Sequence, residues 1–369
     1  MSLAIVLITK QLPVFLFAPI AGPMADRFKR RNILYLMDII RAILASVLLF
    51  IPISSSPLNQ GALVYAIVFL QSVASAFFEP SRAAMTPEIV DPQDLTAANA
   101  LTSMVWSLSL IVGSALGGIV TEQFGWKIAV VVDAVSFLVS GYFILKIRYD
   151  SAPQSHAQRA SRGLGELWRY FDSAPGVFQT ALVKFACGFG GAAYLLLSVL
   201  GQRVFTVGAK GVLGISLLYS ARAIGALLGP FVGRYFSGSD ESKMRDTVLV
   251  GLFMYSAAYA LLGVAVGWPE ALICVAMGHF GGSLMWGFST VLIQMSVPNE
   301  LRGRVFGFEI GLATISNSLS LLFCGFLMDQ YQVSPQQASL AMGLTLFATV
   351  AWWWAVVKRY FGRTKSNVN

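Results

Sequence analysis

The chain alternates between long apolar runs and short polar segments, many of them basic. A membrane-spanning helix needs roughly 20 predominantly apolar residues. Eleven runs meet that requirement: Leu3 to Ala21, Ile33 to Ile53, Ala62 to Ala83, Ala98 to Thr121, Ile128 to Ile147, Val177 to Leu200, Gly211 to Phe236, Val248 to Val266, Ala271 to Gln294, Val305 to Met328 and Ala338 to Val357. The first has no charged segment before it and is interrupted by Lys10, so it reads as a span rather than a signal peptide. Arg148 to Gly176 carries no long apolar run. Within it Leu164, Leu167, Trp168 and Phe171 recur at i, i+3, i+4 and i+7, which predicts a short linker helix lying in the membrane interface.

Composition narrows the class. The chain is 56% hydrophobic and only 12% charged, where an average soluble domain is about 25% charged. That balance excludes an ordinary cytosolic enzyme, a disordered chain and a disulfide-rich secreted domain, and indicates a polytopic membrane protein. Cys187, Cys274 and Cys324 lie in separate apolar runs, and His156 and His279 are far apart, so no disulfide framework, metal site or cofactor is expected.

The net charge of +8 raises the question of nucleic acid, and its distribution answers it. If the first span runs from outside to inside, 19 of the 26 basic residues fall in inside segments and three, Lys127, Arg203 and Lys210, fall outside. The other four, Lys10, Arg41, Lys184 and Arg222, lie within helices. This is the asymmetry of a plasma-membrane protein with a cytoplasmic C-terminus, its basic residues facing anionic headgroups of the bilayer.

The sequence also repeats. Phe17-Ala18-Pro19-Ile20-Ala21-Gly22 returns 211 positions on as Leu228-Gly229-Pro230-Phe231-Val232-Gly233, and Asp91-Pro92-Gln93-Asp94-Leu95 returns 206 positions on as Val297-Pro298-Asn299-Glu300-Leu301. Two phrases at nearly one offset predict two homologous helical halves of parallel orientation, residues 1–147 and 177–369, joined by the linker 148–176. The second half has a span before its Pro230 helix and the first has none before Pro19. Eleven spans of an expected twelve therefore predict a further helix ahead of Met1; the alternative is a true eleven-span protein.

Gly22-Pro23-Met24-Ala25-Asp26-Arg27-Phe28-Lys29-Arg30-Arg31 forms the first inside loop. It resembles the loop between helices 2 and 3 of the major facilitator superfamily, Gly-x-x-x-Asp-Arg-x-Gly-Arg-Arg. Gly22, Asp26, Arg27, Arg30 and Arg31 match, and Lys29 replaces the second glycine. Ser109 to Gly118 resembles the antiporter motif of helix 5, with Gly113, Gly117 and Gly118 in place and Ser109 and Ser114 replacing a glycine and the proline. The alternative for these glycines is plain small-residue packing. Phrases such as Phe78-Glu79-Pro80-Ser81-Arg82 and Leu301-Arg302-Gly303-Arg304-Val305 resemble the branch that contains the enterobactin exporter and the macrolide-efflux proteins.

The resemblance implies an all-α membrane protein of the major facilitator fold, two pseudo-symmetric halves holding helices 2–6 and 7–12. An ionisable group within a span is a functional candidate by default. Asp26, Arg27, Arg30, Arg31, Asp38, Arg41, Glu79 and Arg82 form a predicted inside gating network. Lys10, Gln71, Trp106, Lys184, Arg222, His279 and Glu309 are candidates for the proton and substrate cavity. Lys10 and Arg222 lie about 18 Å from the inside ends of their helices at 1.5 Å per residue, too deep for easy snorkelling. Glu309 is a candidate proton carrier, the alternative being a simple pair with a nearby cation such as Lys10 or Arg222.

The activity implied is not enzymatic. It is export of a small amphipathic organic compound by a monomer, through proton antiport and alternating access. No Gly-x-x-x-x-Gly-Lys-Ser/Thr phrase supports ATP-driven export. A facilitator or importer of the same fold, or a non-transporting sensor or scaffold derived from it, are the alternatives.

Overall fold

A computed structural model of the chain describes residues 28–50, 57–90, 95–147, 164–208, 211–238 and 240–361, with scattered positions before residue 28. Among these residues there are thirteen α-helices and no strand. The first four are α1 (Arg30–Leu48), α2 (Pro57–Ile89), α3 (Leu95–Phe124) and α4 (Trp126–Lys146). After the linker come α5 (Leu164–Ser173), α6 (Pro175–Ala181), α7 (Val183–Gly188) and α8 (Ala193–Arg203). The remainder are α9 (Val212–Ser237), α10 (Glu241–Leu262), α11 (Trp268–Ser296), α12 (Asn299–Gln330) and α13 (Pro335–Val356), the last closing in a π-helical turn, Val357–Phe361.

Seven helical segments among the described residues are long and apolar enough to cross a membrane: Gly61–Arg82, Trp126–Lys146, Pro175–Arg203, Val212–Ser237, Trp268–Ser296, Val305–Gln330 and Pro335–Phe361. Leu108–Phe124 of α3 adds a shorter apolar stretch. Two further predicted spans form helices, α1 and α10, but each carries charges: Arg30, Arg31, Asp38 and Arg41 in α1, and Glu241, Lys243, Arg245 and Asp246 in the first turns of α10. The run Leu3 to Ala21 lies almost wholly outside the described residues.

The spans are apolar on both faces, and size sorts the faces. On α4 the small residues Ala134 and Gly141 are buried, with Ile144 near the helix end, while Val132, Leu138, Tyr142 and Phe143 are exposed. A helix in lipid gains nothing from hiding large apolar groups, so small residues take the helix contacts where backbones approach. The same rule is strongest in α9, α10 and α11. A Cβ on Gly225 of α9 would collide with the carbonyl oxygen of Ala276, and Gly251 and Gly281 face one another across α10 and α11, where a Cβ on either would stand 2.6 Å from the other's carbonyl oxygen.

Two compact units result. The first comprises residues 2–106 and 117–161, in which α1 packs against α2 and α4 through Leu34, Met85 and Ile144. The second comprises 162–369, together with 107–116 of α3. Its main core gathers Val183, Val248, Leu252, Met285, Phe288 and Trp353, with the Trp353 indole donating to the Arg245 carbonyl at 3.1 Å.

The linker helix α5 forms as part of the second unit. Its predicted apolar face is there, and Leu167 and Phe171 are buried against Ala181, Ile293, Val297, Leu301 and Val305. The Tyr170 hydroxyl donates to the Ser296 carbonyl at 3.0 Å. Apolar side chains at the ends of α11 and α12 give that face a protein partner.

The first span of the second unit is discontinuous. α7 ends at Gly188, and a turn through Phe189-Gly190-Gly191-Ala192 precedes α8. Irregular backbone inside a membrane must be satisfied by protein. Ser320 of α12 donates to the Phe189 carbonyl at 2.6 Å and accepts from the Ala192 N–H at 3.1 Å. Tyr255 of α10 donates to the Gly190 carbonyl at 3.0 Å.

Candidate transport site

Lys184, just below the break, is 2% exposed, and its ammonium donates to Glu309 Oε2 of α12 at 2.9 Å and to the Thr290 hydroxyl of α11 at 2.8 Å. It also lies 4.5 Å from the centre of the Trp286 ring. Glu309 is fully buried, and its second oxygen, Oε1, has no hydrogen-bond partner. Three helices thus supply an acid, a base and a hydroxyl to one point. The sequence left Lys10 and Arg222 as partners for Glu309; the structure pairs it with Lys184 instead, because α7 and α12 pack together. α12 also begins six residues before the predicted span, placing Glu309 about 15 Å along the helix at 1.5 Å per residue.

A second polar cluster lies above the break. Arg222 of α9 donates to the Tyr194 hydroxyl of α8 at 2.7 Å and sits 4.1 Å from the centre of that ring and 5.7 Å from that of Tyr219. Tyr219 shares a 3.3 Å hydrogen bond with Ser198 and donates to the Tyr194 carbonyl. The Tyr259 hydroxyl and His279 Nε2 are 2.8 Å apart.

In the first unit, Arg41 contacts Asp38 at 3.3 Å, and both are buried. The Arg41 guanidinium lies 4.4 Å over the Phe78 ring. Glu79 and Arg82 form an exposed pair at 2.7 Å one helix away. Arg31 donates to the Ile147 carbonyl at 3.1 Å, tying the start of α1 to the end of α4. Arg30 opens α1, and Gln71 is half-buried on α2. Lys10, Gly22, Asp26, Arg27 and the Trp106 side chain lie outside the described residues.

The glycines singled out on α3 differ in burial. Gly113 and Gly117 are exposed, and a Cβ on either meets nothing within 4 Å among the described residues; Gly118 alone is buried. Close backbone approaches are also made at Gly225, Gly251 and Gly281, which match no motif. The sequence also passed over Thr290, Tyr194, Tyr219, Ser320 and Tyr255. Their only signal was a polar atom inside an apolar run, which many helix-packing hydroxyls share.

Outside the spans, Asp240 caps α10, accepting from the Ser242 N–H at 2.7 Å and the Lys243 N–H at 3.2 Å. These backbone bonds, that from Lys243 foremost, hold its carboxyl below the ordinary value. Burial pushes the Tyr170 phenol upward and keeps it a donor. No three His, Cys, Asp or Glu side chains converge on a metal-sized site among the described residues.

The profile of the Major Facilitator Superfamily matches residues 2–309. The chain belongs to this superfamily. As a major facilitator protein it is a multi-span membrane transporter, and its relatives include efflux proteins. It is 26% identical over 360 residues to the multidrug efflux pump Tap of Mycolicibacterium fortuitum, covering 94% of this chain and 86% of Tap. It is 25% identical over 326 residues to BacE of Bacillus amyloliquefaciens, a proposed bacilysin exporter, covering 85% of this chain and 78% of BacE. Macrolide efflux protein A of Streptococcus pyogenes is 22% identical over 327 residues, covering 88% and 80%. The fold matches that of a variant of the nucleoside transporter NupG with a TM-score of 0.77 at 10% identity, over 96% of this chain and 90% of that one.

Proposed function

We propose that this major facilitator protein is a proton-coupled exporter of small amphipathic organic compounds, acting as a plasma-membrane monomer with a cytoplasmic C-terminus. The observation that carries the reading is the Lys184–Glu309 pair. A coupling group must change its charge during the cycle, be sealed in one state and control a conformational equilibrium. Glu309 is sealed, its Oε1 is unengaged, and its partner sits on a discontinuous helix. Protonating Glu309 removes the charge that holds Lys184 and leaves an ammonium whose remaining polar partner is Thr290. Loss of that attraction favours a state in which α7 moves away from α12, so proton binding shifts the conformational population. The exporters among its relatives support outward transport, and the inside bias of basic residues supports the orientation.

The test uses proteoliposomes and a set of neutral, cationic and anionic amphipathic fluorophores, with and without an imposed pH gradient. Uphill movement of at least one fluorophore that a protonophore abolishes is the expected result. With Glu309→Gln, uphill movement is lost while downhill exchange persists. Equilibration that ignores the gradient would identify a facilitator, and no flux of any fluorophore would identify a non-transporting protein.

A further inference from the structure

Two cations are buried in spans of the second unit, and they differ in one respect. Lys184 has a carboxylate at 2.9 Å. Arg222, 9% exposed, has none among the described residues; its polar partner is the Tyr194 hydroxyl. The groups around it, Tyr194, Tyr219, Tyr259 and His279, include no carboxylate. A guanidinium cannot shed its proton to escape this position. The aromatic faces offset part of its charge, and an uncompensated charge within a span remains costly. Of its N–H groups, one is shown engaged, by the Tyr194 hydroxyl.

We propose that Arg222 binds the carboxylate of the transported compound, and that the transported class is a monocarboxylate with an apolar body. The guanidinium fork matches a carboxylate in two parallel hydrogen bonds. Because Glu309 already neutralises Lys184, the second unit offers one uncompensated positive charge at this site, which a monoanion balances and a dianion exceeds. The Tyr194 and Tyr219 rings, already stacked about the guanidinium, provide apolar surface beside the anchored carboxylate. This inference rests on the transport reading for its biological sense, while its test reads binding alone.

The probes are dansylglycine, a fluorescent amphipathic monocarboxylate, and dansylglycinamide, which has the same body without the charge. Each is titrated against the purified full chain in nanodiscs. Wild type is expected to bind the acid at least about tenfold more tightly than the amide, the lower end for a charge-assisted bond. Arg222→Gln is expected to remove that preference by weakening the acid and leaving the amide within about twofold, and Arg222→Lys to keep part of it. Equal binding of acid and amide by wild type, or no binding of the acid, overturns the proposal even if Arg222→Gln fails to fold. Parallel weakening of both probes in a folded Arg222→Gln overturns it as well. Acid-selective binding without flux in proteoliposomes would sink the transport reading and leave the anion site standing. Gradient-driven flux with no acid preference would do the reverse.

Discussion

Lys184 and Glu309 are 125 residues apart in the chain and 2.9 Å apart in the structure, with side chains 3% and 0% exposed. Removing either alone strands the other charge in a dry setting, at a cost of about 3–5 kcal/mol, whereas replacing both with apolar residues of similar volume costs far less. Lys184→Met and Glu309→Leu should therefore each lower the melting temperature sharply, and the double variant should recover most of the loss. Melts of the four proteins complete the cycle. A double variant as unstable as the two single losses added together would show that the pair is not a coupled unit.

Gly225 and Gly113 are both small residues on apolar helices, and opposite outcomes are expected from the same change. Gly225→Ala places a methyl group against the Ala276 carbonyl, a backbone atom that cannot yield without moving α11 away from α9. Overpacking of this kind costs about 1–3 kcal/mol. Gly113→Ala meets open space and gains up to about 1 kcal/mol of helix propensity. Thermal unfolding of the two purified variants distinguishes them, and equal effects would contradict the packing described.

Ser320 secures the broken span by bonding both to the Phe189 carbonyl and to the Ala192 N–H. Ser320→Ala leaves both groups unpaired and should cost about 1–3 kcal/mol. Hydrogen exchange at residues 189–193 is the direct measurement, and faster exchange confined to that turn is expected. Unchanged protection there would mean that Ser320 does not hold the break.

Asp240 carries a pH dependence whose sign follows from its lowered carboxyl. A group depressed in the folded state contributes stability above its unfolded value, near the ordinary 3.8, and loses it as pH falls through the folded value. Asp240→Asn keeps a capping oxygen but cannot titrate. Between pH 5 and about 3, wild type should lose more stability than this variant. Parallel melting curves over that range would rule out a contribution from the cap.

Class and family were legible in the sequence because they depend on local or additive properties. Apolar run length determines what can span a bilayer, basic residues summed over loops set the expected orientation, and Gly22, Asp26, Arg30 and Arg31 hold their spacing within one short loop. The burial of Asp38 with Arg41 could be anticipated for the same reason, since three positions along a helix place two side chains on one face. What the sequence could not assign was partnership between helices. Whether Glu309 meets Lys10, Lys184 or Arg222 depends on which faces of which helices pack, and apolar helices carry no amphipathic stripe to say so. The packing faces of α9, α10 and α11 are defined by glycines whose role appears only when a neighbouring carbonyl stands where a methyl group would go. Tertiary packing alone broke the span between Gly188 and Ala193, gave Lys184 its carboxylate and, among the described residues, left Arg222 without one, because an ion pair between helices exists only where two backbones bring their side chains within about 4 Å.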